Sequence, residues 1–286
     1  MLKIVIGSDR FKHLTQYKLS KFLDHAYNLG INKIDTAPMY ESEKMIGKYL
    51  QSNPNFLIST KTKFIYKAHQ SLKVSENFRI SLENLRSQSI DCLFFHNTPP
   101  SMMSRTDIDE INILKKTGLI KKIGYSGHSF KINDLKIEPQ PDCLMVSFNA
   151  LDISDEHLIQ QSKNEIYIKR PMANFVFKPS LVKEIKYNIK NVLKLKNPID
   201  AQGYEFRFNK MQNRKNSFHE NMKFYIKFIT SLYPKANYVF GVSNIKHLNQ
   251  IVETVKILNF ELSEDIVNYH HRLTQLSKEF NWKSLP

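Results

Sequence analysis

The chain has 286 residues, a formal net charge of +15 and 41% hydrophobic residues. That length admits two average domains or one α/β barrel, and no run approaches the roughly 18 apolar residues of a membrane helix, so no membrane partner is expected. The two cysteines, Cys92 and Cys143, each lie inside an apolar run, which argues against a disulfide framework and for reduced thiols in the cytoplasm.

The N-terminus, MLKIVIGSDRF, enters a strand-like run at once and lacks signal-peptide organisation. The basic excess permits a polyanionic partner. However, no module interleaves aromatic with basic residues as nucleic-acid readers do, so a Lys/Asn/Ile-biased composition is the plainer reading and no nucleic acid is expected.

Taken in chain order, eight short apolar runs read as strands: KIVIGS (3–8), INKIDT (31–36), FLISTK (56–61), DCLFFH (91–96), IKKIGYS (120–126), DCLMVSF (142–148), EIYIKR (165–170) and NYVFGV (237–242). Segments of helical periodicity separate them. In KLSKFLDHAYNLG, Leu19, Phe22, Leu23, Ala26 and Tyr27 share one face and Gly30 is the expected terminator. In SEKMIGKYL, Ser42 is the expected N-cap, and Glu43 falls in the first turn, where the helix dipole favours a carboxylate. VSENFRISLENLRS and HLNQIVETVKILN have the same character. Eight alternating units predict a single (β/α)8 barrel over 1–286. The rival, a doubly wound open sheet, usually carries a glycine-rich phosphate loop after its first strand, and GSDRFKH is not one.

Two segments stand outside the repeat. Residues 176–218, after strand seven, form a basic insertion holding ten Lys/Arg against Glu184, Asp200 and Glu205. Residues 263–279 read as an extra C-terminal helix whose His270-His271 pair is expected at the solvated surface.

In a barrel, chemistry gathers where strands end and the loops to the helices begin. Three successive strands finish on an ionisable residue: Asp35 in KIDT, Lys61 in ISTK and His96 in FFHN. They fall one strand-helix unit apart, on neighbouring staves. Tyr40 follows Asp35 in the loop that leaves the second strand. An unpaired Lys or Asp at an apolar mouth is costly to desolvate, and pairing relieves that cost. A Lys cation beside a phenol favours the phenolate, so the Tyr40 pKa is expected to fall towards neutrality. Such a phenol suits proton donation to a carbonyl oxygen that His96 orients.

These residues resemble the aldo-keto reductase family. IDTAPMYESEKMIGKYL, ISTK, LFFHN, IKKIGYSGHS, VSFNALD, IKRPMAN and FGVSNIKHLNQIVE follow its signatures in order along nearly the whole chain. The resemblance implies a catalytic tetrad of Asp35, Tyr40, Lys61 and His96 in a barrel oxidoreductase using NADP(H), with NAD(H) as the alternative. It implies Ser126, Asn149 and Arg170 about the cofactor, and Gly241, Ser243 and Asn244 as a phosphate-cradling loop at a helix N-terminus. The match departs from the family at Gly127 and Met145, where an Asn and a Gln commonly hold the nicotinamide amide. It departs at Lys169-Arg170, where an aromatic commonly stacks on the ring, and at His247, where many relatives carry an Arg for the 2′-phosphate. The implied substrate is a small carbonyl compound, anionic or sugar-derived, and no metal is implied. Two other readings are a catalytically weak nucleotide-binding barrel acting as a sensor or assembly subunit, and a metal-dependent hydrolase using Asp35, His96 and His128. The latter lacks a His-x-His strand, and Lys61 opposes a cation.

Overall fold

A computed structural model describes residues 2–62, 74–97, 104–127, 141–175, 203–211 and 217–283. Its strands are β1 Lys3–Gly7, β2 Lys33–Asp35, β3 Leu57–Thr62, β4 Ile90–His96, β5 Ile120–Ser126, β6 Cys143–Ser147, β7 Glu165–Lys169 and β8 Asn237–Gly241. Each pairs in parallel with the next, and β8 pairs with β1, closing the (β/α)8 barrel. The described helices are α1 Gln16–Asn28, α2 Glu43–Leu50, α3 Val74–Leu85, α4 Arg105–Lys116, α5 Glu156–Gln161, α6 Tyr204–Met211, α7 Phe218–Leu232, α8 Ile245–Ile257 and α9 Glu264–Glu279.

Strand pleat decides what fills the barrel. Successive side chains alternate between faces, and Val5, Cys92, Phe94, Cys143, Met145, Tyr167 and Val239 meet as one buried cluster inside it. The Phe94 and Tyr167 rings meet edge to face at 5.3 Å. Two residues beyond members of this cluster, on the same pleat face, stand Gly7, His96, Ser147, Lys169 and Gly241. The chain's ionisable strand ends therefore converge at one mouth.

The helices begin where local chemistry satisfies their first amides. Ser104 and Asp107 form a reciprocal capping box at α4, as Ser217 and Glu220 do at α7. Thr15 caps α1 by accepting from the Lys18 amide. Gly30, at φ 80°, terminates the turn after α1 as expected. Tyr27 departs from the anticipated buried face and is 44% exposed.

Ser42 does not cap α2 through its side chain. Its hydroxyl joins a buried chain with Ser8 Oγ at 3.0 Å and Thr36 Oγ1 at 3.2 Å. Glu43 does lie in the first turn, but it is buried, accepting a 2.7 Å hydrogen bond from Thr60 Oγ1. Burial raises its pKa, so tertiary contact rather than the helix dipole sets its environment. The predicted C-terminal helix is α9, and its anticipated surface histidine pair divides. His271 is exposed, whereas His270 Nε2 contacts Glu156 Oε2 at 2.8 Å.

Most of the insertion, 176–202 and 212–216, lies outside the described residues. Its described part is α6, which is anchored. Arg207, which composition counts among the insertion's surface cations, is fully buried, paired with Asp152 at 3.0 Å and stacked 4.8 Å from the Trp282 ring.

Gly47 shows how closely two helices approach. A Cβ there would come within 2.1 Å of the Asn84 carbonyl oxygen and 2.9 Å of Leu85 Cα, both backbone atoms of α3. Gly47→Ala should therefore force α2 and α3 apart and destabilise the fold by about 1–3 kcal/mol. Urea unfolding checks this; an unchanged midpoint would contradict the close packing.

Candidate active site

Asp35 and Lys61 meet first. Lys61 Nζ donates to Asp35 Oδ2 at 2.6 Å and to the Thr36 carbonyl at 2.8 Å, while Ser59 Oγ donates to Asp35 Oδ1 at 3.0 Å. Both charged residues are 3% exposed. The register explains the meeting, because Asp35 pairs with Ser59 and Lys61 stands two residues further along β3. Burial alone would lower the Lys61 pKa, but the Asp35 charge, Tyr40 and their hydrogen bonds outweigh it, and the net direction is upward. The amine is held as a cation.

Tyr40 closes a short 3-10 helix, Pro38–Tyr40, that starts with a proline at its first turn. Its amide donates to the Ala37 carbonyl at 2.9 Å, and Glu41 leaves the turn at φ 56°. This turn swings the half-buried ring back over the mouth, where Lys61 Nζ lies 5.0 Å from the ring centroid. The phenol pKa departs from the sequence expectation. Burial raises it, Lys61 opposes the rise, and the carboxylates of Asp35 and Asp9 reinforce it, so the hydroxyl lies above its ordinary value. Desolvation of the phenolate outweighs one neighbouring ammonium that is itself shared with Asp35.

Asp35, Tyr40, Lys61 and His96 all line one cavity of about 430 Å³. Ser126, Met145, Lys169, Arg170 and Gly241 line it too. Ser126 Oγ and Asn97 Oδ1 are buried there with no hydrogen-bond partner among the described residues. Asn97, which the sequence did not single out, takes φ 52°, and its amide donates to the Ser126 carbonyl at 2.7 Å.

Asn149 is not brought to this cavity. It is fully buried, donates through Nδ2 to the Arg170 carbonyl and the Tyr204 hydroxyl, each at 3.1 Å, and accepts the Leu151 amide at 2.9 Å. Its side chain is consumed in holding the turn after β7. Arg170, Ala173 and Asn174 in that turn adopt φ 58°, 44° and 54°, a left-handed run without glycine. Such backbone persists only where surroundings over-determine it, and it clusters at functional sites.

The loop after β8 is divided. Gly241 borders the cavity, and a Cβ there would meet nothing within 4 Å. Ser243 is half-buried, and neither it nor Asn244 or His247 lines the cavity. Asn244 Oδ1 accepts the His247 amide at 3.3 Å, so its side chain caps α8. His128 lies outside the described residues.

Lys169 differs from Lys61 in its partners and in the direction of its pKa shift. No ion pair or hydrogen bond engages it among the described residues. Burial, then the charge of Arg170, lowers its pKa to about 7.

The buried ion pair yields a stability test. Asp35→Asn leaves Lys61 buried without its counter-charge and should cost about 3–5 kcal/mol of folding stability. Adding Lys61→Met should restore much of that loss. Denaturant titration of both single variants and the double variant checks the pair, and strictly additive losses would refute it.

The sequence model of the Aldo/keto reductase family matches residues 3–274. No curated protein sequence matches the chain. Among solved structures, the chain is similar to the aldo-keto reductase AKR11C1 from Bacillus halodurans. Against its holo form the TM-score is 0.71 at 18% identity, over 95% of this chain and 91% of that one. The apo form gives 0.64 at 19% identity, over 91% and 87%. PA4992 of Pseudomonas aeruginosa, described as a candidate aldo-keto reductase, gives 0.63 at 18% identity, over 88% and 91%. At these identities the structural likeness speaks for the barrel alone. The family match spans almost the whole sequence, however, and the chain belongs to the aldo-keto reductase family, an oxidoreductase family acting on carbonyls.

Proposed function

We propose that the chain reduces an aldehyde or ketone to an alcohol, with Tyr40 as the proton donor and NADP(H), or NAD(H) in its place, as the bound reductant. The observation that carries this reading is Lys61 Nζ, fixed by Asp35 and the Thr36 carbonyl and set 5.0 Å from the Tyr40 ring, at a mouth shared with His96.

The raised pKa of Tyr40 serves a reductive direction, because the phenol enters the reaction carrying its proton. As the proton passes from Tyr40 Oη to the carbonyl oxygen, negative charge develops on the phenol oxygen, and Lys61 is already in place to stabilise it. Asp35 keeps Lys61 charged and directed. His96, at the end of β4, orients the carbonyl oxygen from the adjoining side of the cavity. A reduced nicotinamide held at this mouth would supply the hydride that the carbonyl carbon requires.

The residues present fit such a cofactor. Ser126 Oγ and Asn97 Oδ1 are buried polar atoms awaiting partners beside the cavity, suited to a carboxamide. Arg170 and the open space at Gly241 suit phosphate groups. Asn149 acts at one remove by fixing the Arg170 carbonyl. Met145 also lines the cavity and offers only a weak thioether acceptor, which favours the second reading of a nucleotide-binding barrel with little turnover. Steady-state oxidation of NADPH with a panel of aldehydes separates the two. The described part of the basic insertion, α6, reaches the loop after β6 through the contact of the Tyr204 hydroxyl with Asn149, and the enzyme's substrate range is expected to include anionic or sugar-derived carbonyls.

Tyr40→Phe removes the transferable proton and little else. It should lower turnover at least about a hundredfold, while the dissociation constant for NADPH, measured by fluorescence titration, stays within about twofold of the parent. Wild-type turnover in this variant would dismiss Tyr40 as the donor.

A further inference from the structure

Lys169 is a cation that the catalytic constellation leaves without a task. The pleat of β7 points it into the barrel, since Tyr167, two residues earlier, packs in the interior cluster. It lines the same cavity as Tyr40 and His96. Its strand neighbours are Ser147 on β6 and Val239 on β8, neither of which carries charge. The charged groups acting on it are Arg170 beside it, Asp155 ahead of α5, Lys61 of β3 and Asp35 of β2. Asp35 is engaged by Lys61. Among the described residues, the remaining titratable groups lining the cavity are Asp9, Arg10, Tyr40 and His96, and Asp9 and Arg10 are exposed and of opposite sign. The interior near Lys169 therefore presents a positive charge that Asp155 and Asp35 offset only in part, since burial and Arg170 outweigh them.

Resting on the carbonyl-reductase reading above, we infer that Lys169 is a redox-state selector: its ammonium disfavours the cationic oxidised nicotinamide ring and spares the neutral reduced ring. The two forms of a dinucleotide differ by that one ring charge and share every phosphate and ribose. Any ring placed to deliver hydride beside Tyr40 must enter this cavity, where like charges repel with little solvent between them. Such selection expels the spent cofactor and favours binding of the fresh one.

The size of the effect has a ceiling. Lys169 can escape the repulsion by releasing its proton, and with a pKa of about 7 that release costs at most about tenfold in affinity near pH 6 and almost nothing above about pH 8. The preference is therefore strongest in acid and fades as pH rises, because the charged form is present below the pKa and lost above it.

Fluorescence titration of the full chain with NADPH and NADP+ at about pH 6 and about pH 8.5 tests this. The ratio of the NADP+ to the NADPH dissociation constant should fall by about tenfold between the two. Lys169→Met should make the ratio independent of pH. Lys169→Arg, charged throughout, should keep it high at both. A ratio that changes with pH just as much in Lys169→Met would assign the effect to another cavity group such as His96 and overturn the inference. A flat ratio in the parent would overturn it while leaving the proposed function standing. Failure of both dinucleotides to bind would remove the two together.

Discussion

The ion pair between Lys61 and Asp35 is the constraint around which the mouth of this barrel is arranged. Two ionised groups withdrawn from water cost several kcal/mol each before their attraction is counted. Here the loss is offset because both Asp35 oxygens and two of the three Lys61 donors are engaged. Asp35 takes Lys61 on one oxygen and Ser59 on the other, and Lys61 has the Thr36 carbonyl as a second acceptor. With two of its three donors committed inside the fold, the ammonium is oriented towards Tyr40 and loses little freedom in serving it. A solvated lysine would screen its own charge and wander. Burial is what turns it into a fixed electrostatic field.

The turns around the mouth answer the same demand for fixed geometry. Glu41, Asn97, Arg170, Ala173 and Asn174 all hold left-handed backbone without being glycine. Each such residue costs of order 1–3 kcal/mol unless its surroundings compensate. Asn149 is the visible compensation at one of them, binding the Arg170 carbonyl from a fully buried position. The residue that looks, by type and place, like a ligand contact has its side chain engaged in shaping the turn that carries Arg170.

The barrel and the convergence of its ionisable strand ends were legible because both follow from the chain's local order. Short apolar runs mark the strands, and a strand that ends on Asp, Lys or His declares its mouth position without help from any distant residue. What was hidden depends on partners far along the chain. Ser42 has the sequence position of a cap but bonds to Ser8, and Arg207 sits in a basic stretch but is neutralised by Asp152. His270 belongs by pattern to a surface helix yet finds Glu156, more than a hundred residues earlier. The direction of the Tyr40 shift was missed for a similar reason. The attraction of Lys61 can be inferred from adjacency, but the desolvation that overrides it depends on how the 3-10 turn buries the ring.

Lys61 and Lys169 show how much one neighbouring strand decides. Both close a strand at the mouth, and both lose water on entering it. For Lys61 the adjacent strand supplies a carboxylate, and the amine is held charged above its ordinary range. For Lys169 the adjacent strands supply a serine and a valine, burial and the charge of Arg170 outweigh the pull of Asp155, and the pKa falls to about 7. The same side chain is thus a permanent field in one stave and a responsive one in another. The difference lies in the carboxylate that β2 carries beside Lys61 and in the Arg170 cation that stands beside Lys169. On the proposed reading the cavity has use for both kinds: a cation that does not yield, beside the phenol oxygen left negative when its proton departs, and one that yields when a second positive charge arrives.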